Sequence, residues 1–171
     1  MERTLIIFKP DAVQRGIVGE ILTRFEKVGL KIAGMKMLSP TRDQYHHHYE
    51  AIGTMITRHG QKIFDDTVKM MENGPVIAVV LEGVEAVEVT RKMVGSTEPK
   101  GSPAGTIRGD YAHMSYGHAD SQEIGIFNIL HASGDSEEAK REIEHWFTSE
   151  ELHSYETVHE QFTQRTKRHD R

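Results

Sequence analysis

The chain has 171 residues, 37% hydrophobic and 27% charged, a length and balance that suit one globular domain able to bury a core. No run approaches the roughly 18 apolar residues of a membrane span, and the absence of cysteine excludes disulfides and thiolate metal sites and suits a cytoplasmic setting. A formal net charge of -5 argues against general nucleic-acid binding, which rests on Lys and Arg neutralising phosphates, and leaves room only for a local basic pocket.

The first predicted element is a strand over residues 4–8, TLIIF, which ends on Lys9 and Pro10 and is too short for a signal peptide. Residues 18–28 follow with helical spacing, Ile21, Leu22, Phe25 and Val28 forming one stripe. A more alternating strand spans 30–38, and helices are predicted over 41–51 and 61–71. Residues 76–81, VIAVVL, like 4–8, form a near-continuous apolar run, the pattern of a strand covered on both faces. A helix over 84–93 leads into a long loop, 95–127, where Gly95, Pro99, Gly101, Pro103, Gly105 and Gly109 forbid a regular element. A short strand over 126–130 and a helix over 135–147 close the pattern. Asp135 followed by Glu138 reads as a capping box for that helix, and Ala139, Ile143, Trp146 and Phe147 form its stripe. Residues 154–171 are a polar tail on a domain spanning 1–153. The order of elements predicts an α/β (α+β) sandwich of the split βαβ, ferredoxin-like kind, with helices over one face of a four-stranded antiparallel sheet.

Long ordered loops in compact domains usually serve a ligand. This one is bracketed by Arg91, Thr97 and Arg108, and guanidinium groups match phosphate oxygens bidentately. Lys9, closing an apolar strand, is either a solvated strand end or an ammonium clamp beside that loop. No G-x-x-x-x-G-K-[ST], strand-borne G-x-G-x-x-G or helical metal pair occurs, so phosphate binding must use side chains. Of the 11 histidines, His46, His47 and His48 fan out by about 100° per residue on a helix and read as a solvated or intersubunit patch. His113 and His118, with Asp110 and Asp120, are a weak metal set of the kind loops collect without function. His131 lies at a strand edge before a helix N-terminus, where an anion is stabilised. A neutral imidazole is a competent nucleophile there, and Glu142 is placed to orient its other nitrogen.

Several collinear motifs then make the chain resemble the nucleoside diphosphate kinases: TLIIFKPDAVQRG, GPVIAVVLEG, GSTEP, GTIRGDYA, and N-x-x-H-x-S with EEAKREIEHWF, together spanning about residues 3–153. The resemblance implies a ferredoxin-like fold, a homo-oligomer (hexamer or tetramer), Mg²⁺, and transfer of a γ-phosphoryl group, mainly from ATP, to a nucleoside diphosphate through a phosphohistidine. By the resemblance His131 is the nucleophile and Glu142 holds its ring. Lys9, Arg91, Thr97 and Arg108 bind phosphates, Asn128 contacts the sugar, and Tyr49 and Ser133 complete the catalytic set. The chain departs from the family in three places. Ile63 stands where a phenylalanine stacks on the base. The acid of the usual H-G-S-D run is shifted to Asp135, a candidate for Mg²⁺ contact through water. Extra residues lie within 50–62 and 114–127. An RNA-recognition module would need an RNP-type aromatic run, which neither central strand supplies. A catalytically dead scaffold would need Ile63 or the insertions to block access.

Overall fold

The apolar run at the N-terminus forms β1 (Glu2–Phe8), one of the two central strands of the sheet. The structure is a computed structural model that describes residues 1–164. A short turn of helix, α1 (Pro10–Gln14), and α2 (Val18–Lys27) lead to β2 (Lys31–Leu38). Next come α3 (Arg42–His46), which widens into a π-helical stretch (His47–Ile52), then α4 (Met55–His59) and α5 (Gln61–Met71). β3 (Val76–Gly83) and α6 (Ala86–Val94) precede the long loop, which carries α7 (Ile107–Tyr111) and α8 (Tyr116–Gln122). β4 (Leu130–Ala132), α9 (Ser136–Trp146) and α10 (Glu160–Thr163) complete the described chain.

The strand order is β2-β3-β1-β4 and every pairing is antiparallel, the ferredoxin-like arrangement. Alternation along β1 fixes two cores. Leu5 and Ile7 enter one, with Tyr45, Phe64, Val68, Ile143 and Trp146 from α3, α5 and α9. Ile6 and Phe8 enter the other, with Ile21, Phe25, Ala86 and Val94 from α2 and α6. Helices therefore cover both faces rather than one. The crossover helices α2 and α6 take one face, and α3, α5 and α9 take the other.

Three further expectations need correction. The long loop does contain regular structure, because Thr106 and Ser115 cap short helices by accepting from Gly109 and His118 N–H groups. Glycine and proline prevent long elements here, not short capped ones. The fourth strand is Leu130–Ala132, not 126–130, since only Leu130, His131 and Ala132 reach register with Phe8, Ile7 and Ile6. The helix over 41–51 is α-helical only to His46. The π-helical turn after it adds a residue per turn and brings both His48 and Tyr49 into the interior.

The start of α9 is as expected at Asp135, whose carboxylate accepts from Glu138 N–H at 2.8 Å. The Glu138 carboxylate reaches back to Gly134 N–H, also 2.8 Å, instead of to the cap residue itself. Along the tail, His153 N–H donates to Ala33 at the bulge in β2, and Tyr155 Oη donates to Ile32 O, so its first residues pack along the edge strand. Residues 165–171 lie outside the described residues. Among the described residues no helix is long and apolar enough to cross a membrane.

Candidate active site

Two neighbouring strands deliver the central groups to one end of the sheet. Lys9 directly follows β1, and His131 lies within β4 opposite Ile7. Between Asn128 and His131 the chain makes a γ-turn: Leu130 N–H donates to Asn128 O at 2.9 Å, and Ile129 sits at φ 76°. A buried β-branched residue in that region carries strain of about 1–3 kcal/mol. It is held by Asp11, whose carboxylate accepts Ile129 N–H, and by Lys9 N–H donating to Ile129 O. The turn directs Asn128 inward, where Oδ1 accepts from Lys9 Nζ at 2.6 Å and Nδ2 donates to Thr97 O at 2.8 Å.

Glu142 lies on the buried stripe of α9 with Ala139, Ile143 and Trp146. Its Oε1 is 2.7 Å from His131 Nε2, and its Oε2 accepts from Ser133 Oγ at 2.6 Å. Burial pushes the Glu142 carboxyl upward, but the His131 and His48 rings and the Ser133 hydroxyl more than offset this and hold it at about 2. An ionised carboxylate only accepts, so His131 Nε2 carries the proton and Nδ1 keeps its lone pair. Ser133 is itself fixed by Leu5 N–H, 3.2 Å away on β1.

His48 completes this cluster. Its ring stands edge-on to His131, centroids 4.6 Å apart, and its Nδ1 accepts from Trp146 Nε1 at 3.2 Å. Burial holds the His48 ring down to about 3, so it is neutral, and the 3.5 Å approach of its Nδ1 to Glu142 is not an ion pair. Its proton is therefore on Nε2, which is buried without a partner among the described residues, as is the Tyr49 hydroxyl. Donor atoms of His48, His131 and Glu142 lie within 4.8 Å of one another, close enough for a shared cation. Each is already committed to a hydrogen bond, which makes the trio a positioning network.

These groups line a cavity of about 490 Å³ that also receives Arg91, Thr97 and Arg108. Arg108 donates to the carbonyls of Asn128, Gly95 and Leu130, at 3.2, 3.1 and 2.7 Å, while Arg91 reaches only Ser133 O at 3.4 Å. Burial lowers the Arg108 guanidinium to about 10 and, with Arg108 nearby, the Lys9 ammonium to about 8. Among the described residues none of Lys9, Arg91 and Arg108 forms a direct ion pair, so the cations are not in contact with a carboxylate. Gly95 (φ 87°) has to be glycine, since a Cβ there would lie 2.7 Å from Thr106 Oγ1.

A sequence model of the family described as Nucleoside diphosphate kinase matches residues 2–152. The chain belongs to this family. It is 46% identical over 155 residues to the nucleoside diphosphate kinase of Pyrococcus furiosus, covering 91% of this chain and 88% of that protein. A solved nucleoside diphosphate kinase from Borrelia burgdorferi, a transition-state mimic with bound vanadate and ADP, superposes with a TM-score of 0.91 at 39% identity, over 95% of this chain and 96% of that one. The enzyme from Halobacterium salinarum in complex with CDP gives 0.80 at 34% identity, covering 96% and 99%.

Of the side chains that the nucleoside diphosphate kinase resemblance singles out, Lys9, Tyr49, Arg91, Thr97, Arg108, Asn128, His131 and Glu142 all line this cavity, and Ser133 backs it through Glu142. Ile63 and Asp135 do not. Ile63 is 37% exposed on α5 outside the lining, and Asp135 spends its carboxylate on the α9 cap. The reading of His48 as part of a solvated patch is overturned, since it is 2% exposed, whereas His46 and His47 are exposed. A sequence signal for this existed: Tyr45, His48, Tyr49 and Ile52 follow the i, i+3, i+4, i+7 stripe of a helix. Met55, Arg58 and His59 from α4, and Tyr116 from α8, also line the cavity and were not anticipated.

Proposed function

We propose that this protein is a nucleoside diphosphate kinase working by a ping-pong mechanism, with His131 Nδ1 as the carrier of the phosphoryl group from ATP to nucleoside diphosphates. The observation that carries this reading is the free Nδ1 lone pair facing a cavity whose cations have no carboxylate partners. His131 Nδ1 attacks the γ-phosphorus in line: an N–P bond forms as the P–O bond to the departing diphosphate breaks, and ADP leaves. A second diphosphate enters the same cavity and takes the group back. Lys9 and the arginines balance charge on the transferring and leaving oxygens, and Asn128 with Lys9 holds the ribose. His48 and Tyr49 back the nucleophile from behind, the His48 ring standing edge-on both to His131 and to the Tyr49 ring.

Mg²⁺ fits as an ion carried by the nucleotide. The lining carboxylates, Glu138 and Glu142, are both engaged, so among the described residues this cavity offers no oxygen cage for a direct site. When bound, the ion neutralises the phosphates and so lowers the barrier to attack. The remaining properties of the reading are a homo-oligomer, hexamer or tetramer, in the cytoplasm, with nucleotides as ligands and no membrane or nucleic-acid partner. Support comes from the exposed Met35 and Met37 on the edge strand and from the cysteine-free, acidic composition.

The test is incubation with γ-labelled ATP and no acceptor. ADP should be released stoichiometrically with sites, the label should be acid-labile and alkali-stable as expected of a phosphoramidate, and added GDP should recover it as labelled GTP. Failure to release ADP until an acceptor is added would exclude the covalent carrier.

The Lys9 ammonium, lowered to about 8, predicts a pH effect. Above that pH the free enzyme loses a positive charge, so kcat/KM should fall on an alkaline limb centred near pH 8. The limb should move upward in Lys9→Arg, whose guanidinium stays protonated. An unmoved limb would assign it to another group.

A further inference from the structure

The replacement of the base-stacking phenylalanine by Ile63, and its position off the cavity, leaves the nucleotide reading without an aromatic platform. The cavity itself supplies one. Its inner end is polar and buried, with Lys9, Arg108 and Asn128 at 7% exposure or less. Its mouth is walled by exposed Arg58 and His59 on α4, Tyr116 at the start of α8, and the half-buried apolar side chains of Met55 and Ile126. Tyr116 and Ile126 fall in one of the two segments that are extra relative to the family, and α4 falls in the other.

Tyr116 is 47% exposed, its ring stacks on no other ring among the described residues, and its hydroxyl takes no hydrogen-bond partner among them. Its backbone is nevertheless well held. Tyr116 N–H donates to the Glu98 carboxylate at 3.0 Å, and the preceding Ser115 caps the helix by accepting His118 N–H. An aromatic face carried on an anchored backbone at the mouth of a cation-lined cavity, with thioether and aliphatic groups in the same wall, has the chemistry to receive a flat heterocycle.

We propose that Tyr116 is the nucleobase platform of this enzyme, stacking on the base in place of the residue at position 63. This rests on the nucleotide-binding reading above and deepens it. Stacking discriminates weakly among bases because each has a π-face, so the platform suits an enzyme that accepts purine and pyrimidine nucleotides alike.

Single-turnover phosphorylation of His131 tests this with two donors, ATP and ribose 5-triphosphate, which keeps sugar and phosphates but has no base. Tyr116→Ala should weaken apparent affinity for ATP by roughly tenfold, within the range that removal of a stacking ring produces. Affinity for ribose 5-triphosphate should be unchanged, and Tyr116→Phe should bind ATP as the wild type does. Equal losses for both donors in the alanine variant would reduce the ring to a support of its loop. A loss in the phenylalanine variant would assign the contact to the hydroxyl, and no loss in either would exclude the platform. Any of these three results overturns the proposal while leaving phosphoryl transfer intact. Absence of His131 labelling in the wild type with both donors overturns the nucleotide reading itself.

Discussion

Replacing His131 by alanine is expected to abolish phosphoenzyme formation and to lower turnover by roughly 10⁴-fold or more, the scale of loss when a covalent nucleophile is removed. No neighbour can take over. His48 is closest, its ring centroid 4.6 Å away, but its Nδ1 lone pair is occupied by Trp146 and its Nε2 carries the proton, so it presents no nucleophilic nitrogen. Lys9 is buried, bonded to Asn128 and still largely protonated at neutral pH. The variant should still bind ADP within a few-fold of the wild type, because Lys9, Arg91, Thr97, Arg108 and Asn128 are untouched. It should also remain folded, since the His131 side chain packs at the cavity wall at 21% exposure and Ser133 still satisfies one Glu142 oxygen. Measurable ping-pong turnover in this variant, or a label that survives acid, would exclude His131 Nδ1 as the carrier.

The sheet was legible because burial leaves a direct trace in composition. Residues 4–8 and 76–81 are apolar at successive positions, and in the structure Leu5 and Ile7 face one core while Ile6 and Phe8 face the other. That pattern already required helices on both faces, so the expectation of one covered face followed the idealised fold against the strand's own residues. The shift of β4 from 126–130 to Leu130–Ala132 could not be read locally. Ile126 and Phe127 are as strand-like as Leu130, and only pairing with β1 across more than 100 residues selects the register.

The site was legible where chemistry is unusual for its position: a lysine ending an apolar strand, arginines around a glycine-rich loop, and a glutamate on a helix two turns beyond a histidine. His48 was masked by its context, because three consecutive histidines look like a polar patch, although the stripe of Tyr45, His48, Tyr49 and Ile52 marks it as inward-facing, and in the structure it is buried against Trp146 and His131. Residues 114–127 match no motif, so the sequence reads them as an insertion that could rebuild either the nucleotide entrance or a subunit contact without choosing between the two. Folding brings Tyr116 to a cavity whose other walls lie near residues 9, 58, 91 and 128, a proximity no spacing rule encodes.

Glu142→Gln is expected to reduce kcat by roughly 10- to 100-fold, the range seen when a carboxylate behind a functional histidine is lost, with nucleotide KM little changed. The carboxylate is 1% exposed and does two things at once. By accepting from His131 Nε2 it fixes the lone pair on Nδ1, and by its charge it stabilises the imidazole as that ring gains positive character on attack. Glutamine keeps the shape but has one accepting oxygen for two donors, His131 Nε2–H and Ser133 Oγ–H. With its oxygen toward His131 it leaves Ser133 to rotate and loses the charge. With its NH₂ toward His131 it favours the tautomer protonated on Nδ1, which cannot attack. A matching signature should appear in acid unfolding. The Glu142 carboxyl titrates at about 2 in the folded protein against an ordinary value of 4.5, so its stabilising contribution is complete above pH 4.5 and is lost as pH falls through this window toward 2. The glutamine variant should be less stable at neutral pH and lose less stability between pH 4.5 and 2 than the wild type. If kcat is unaffected, or if KM and kcat fall together with the melting temperature, Glu142 is a packing residue and the tautomer of His131 is set by something else.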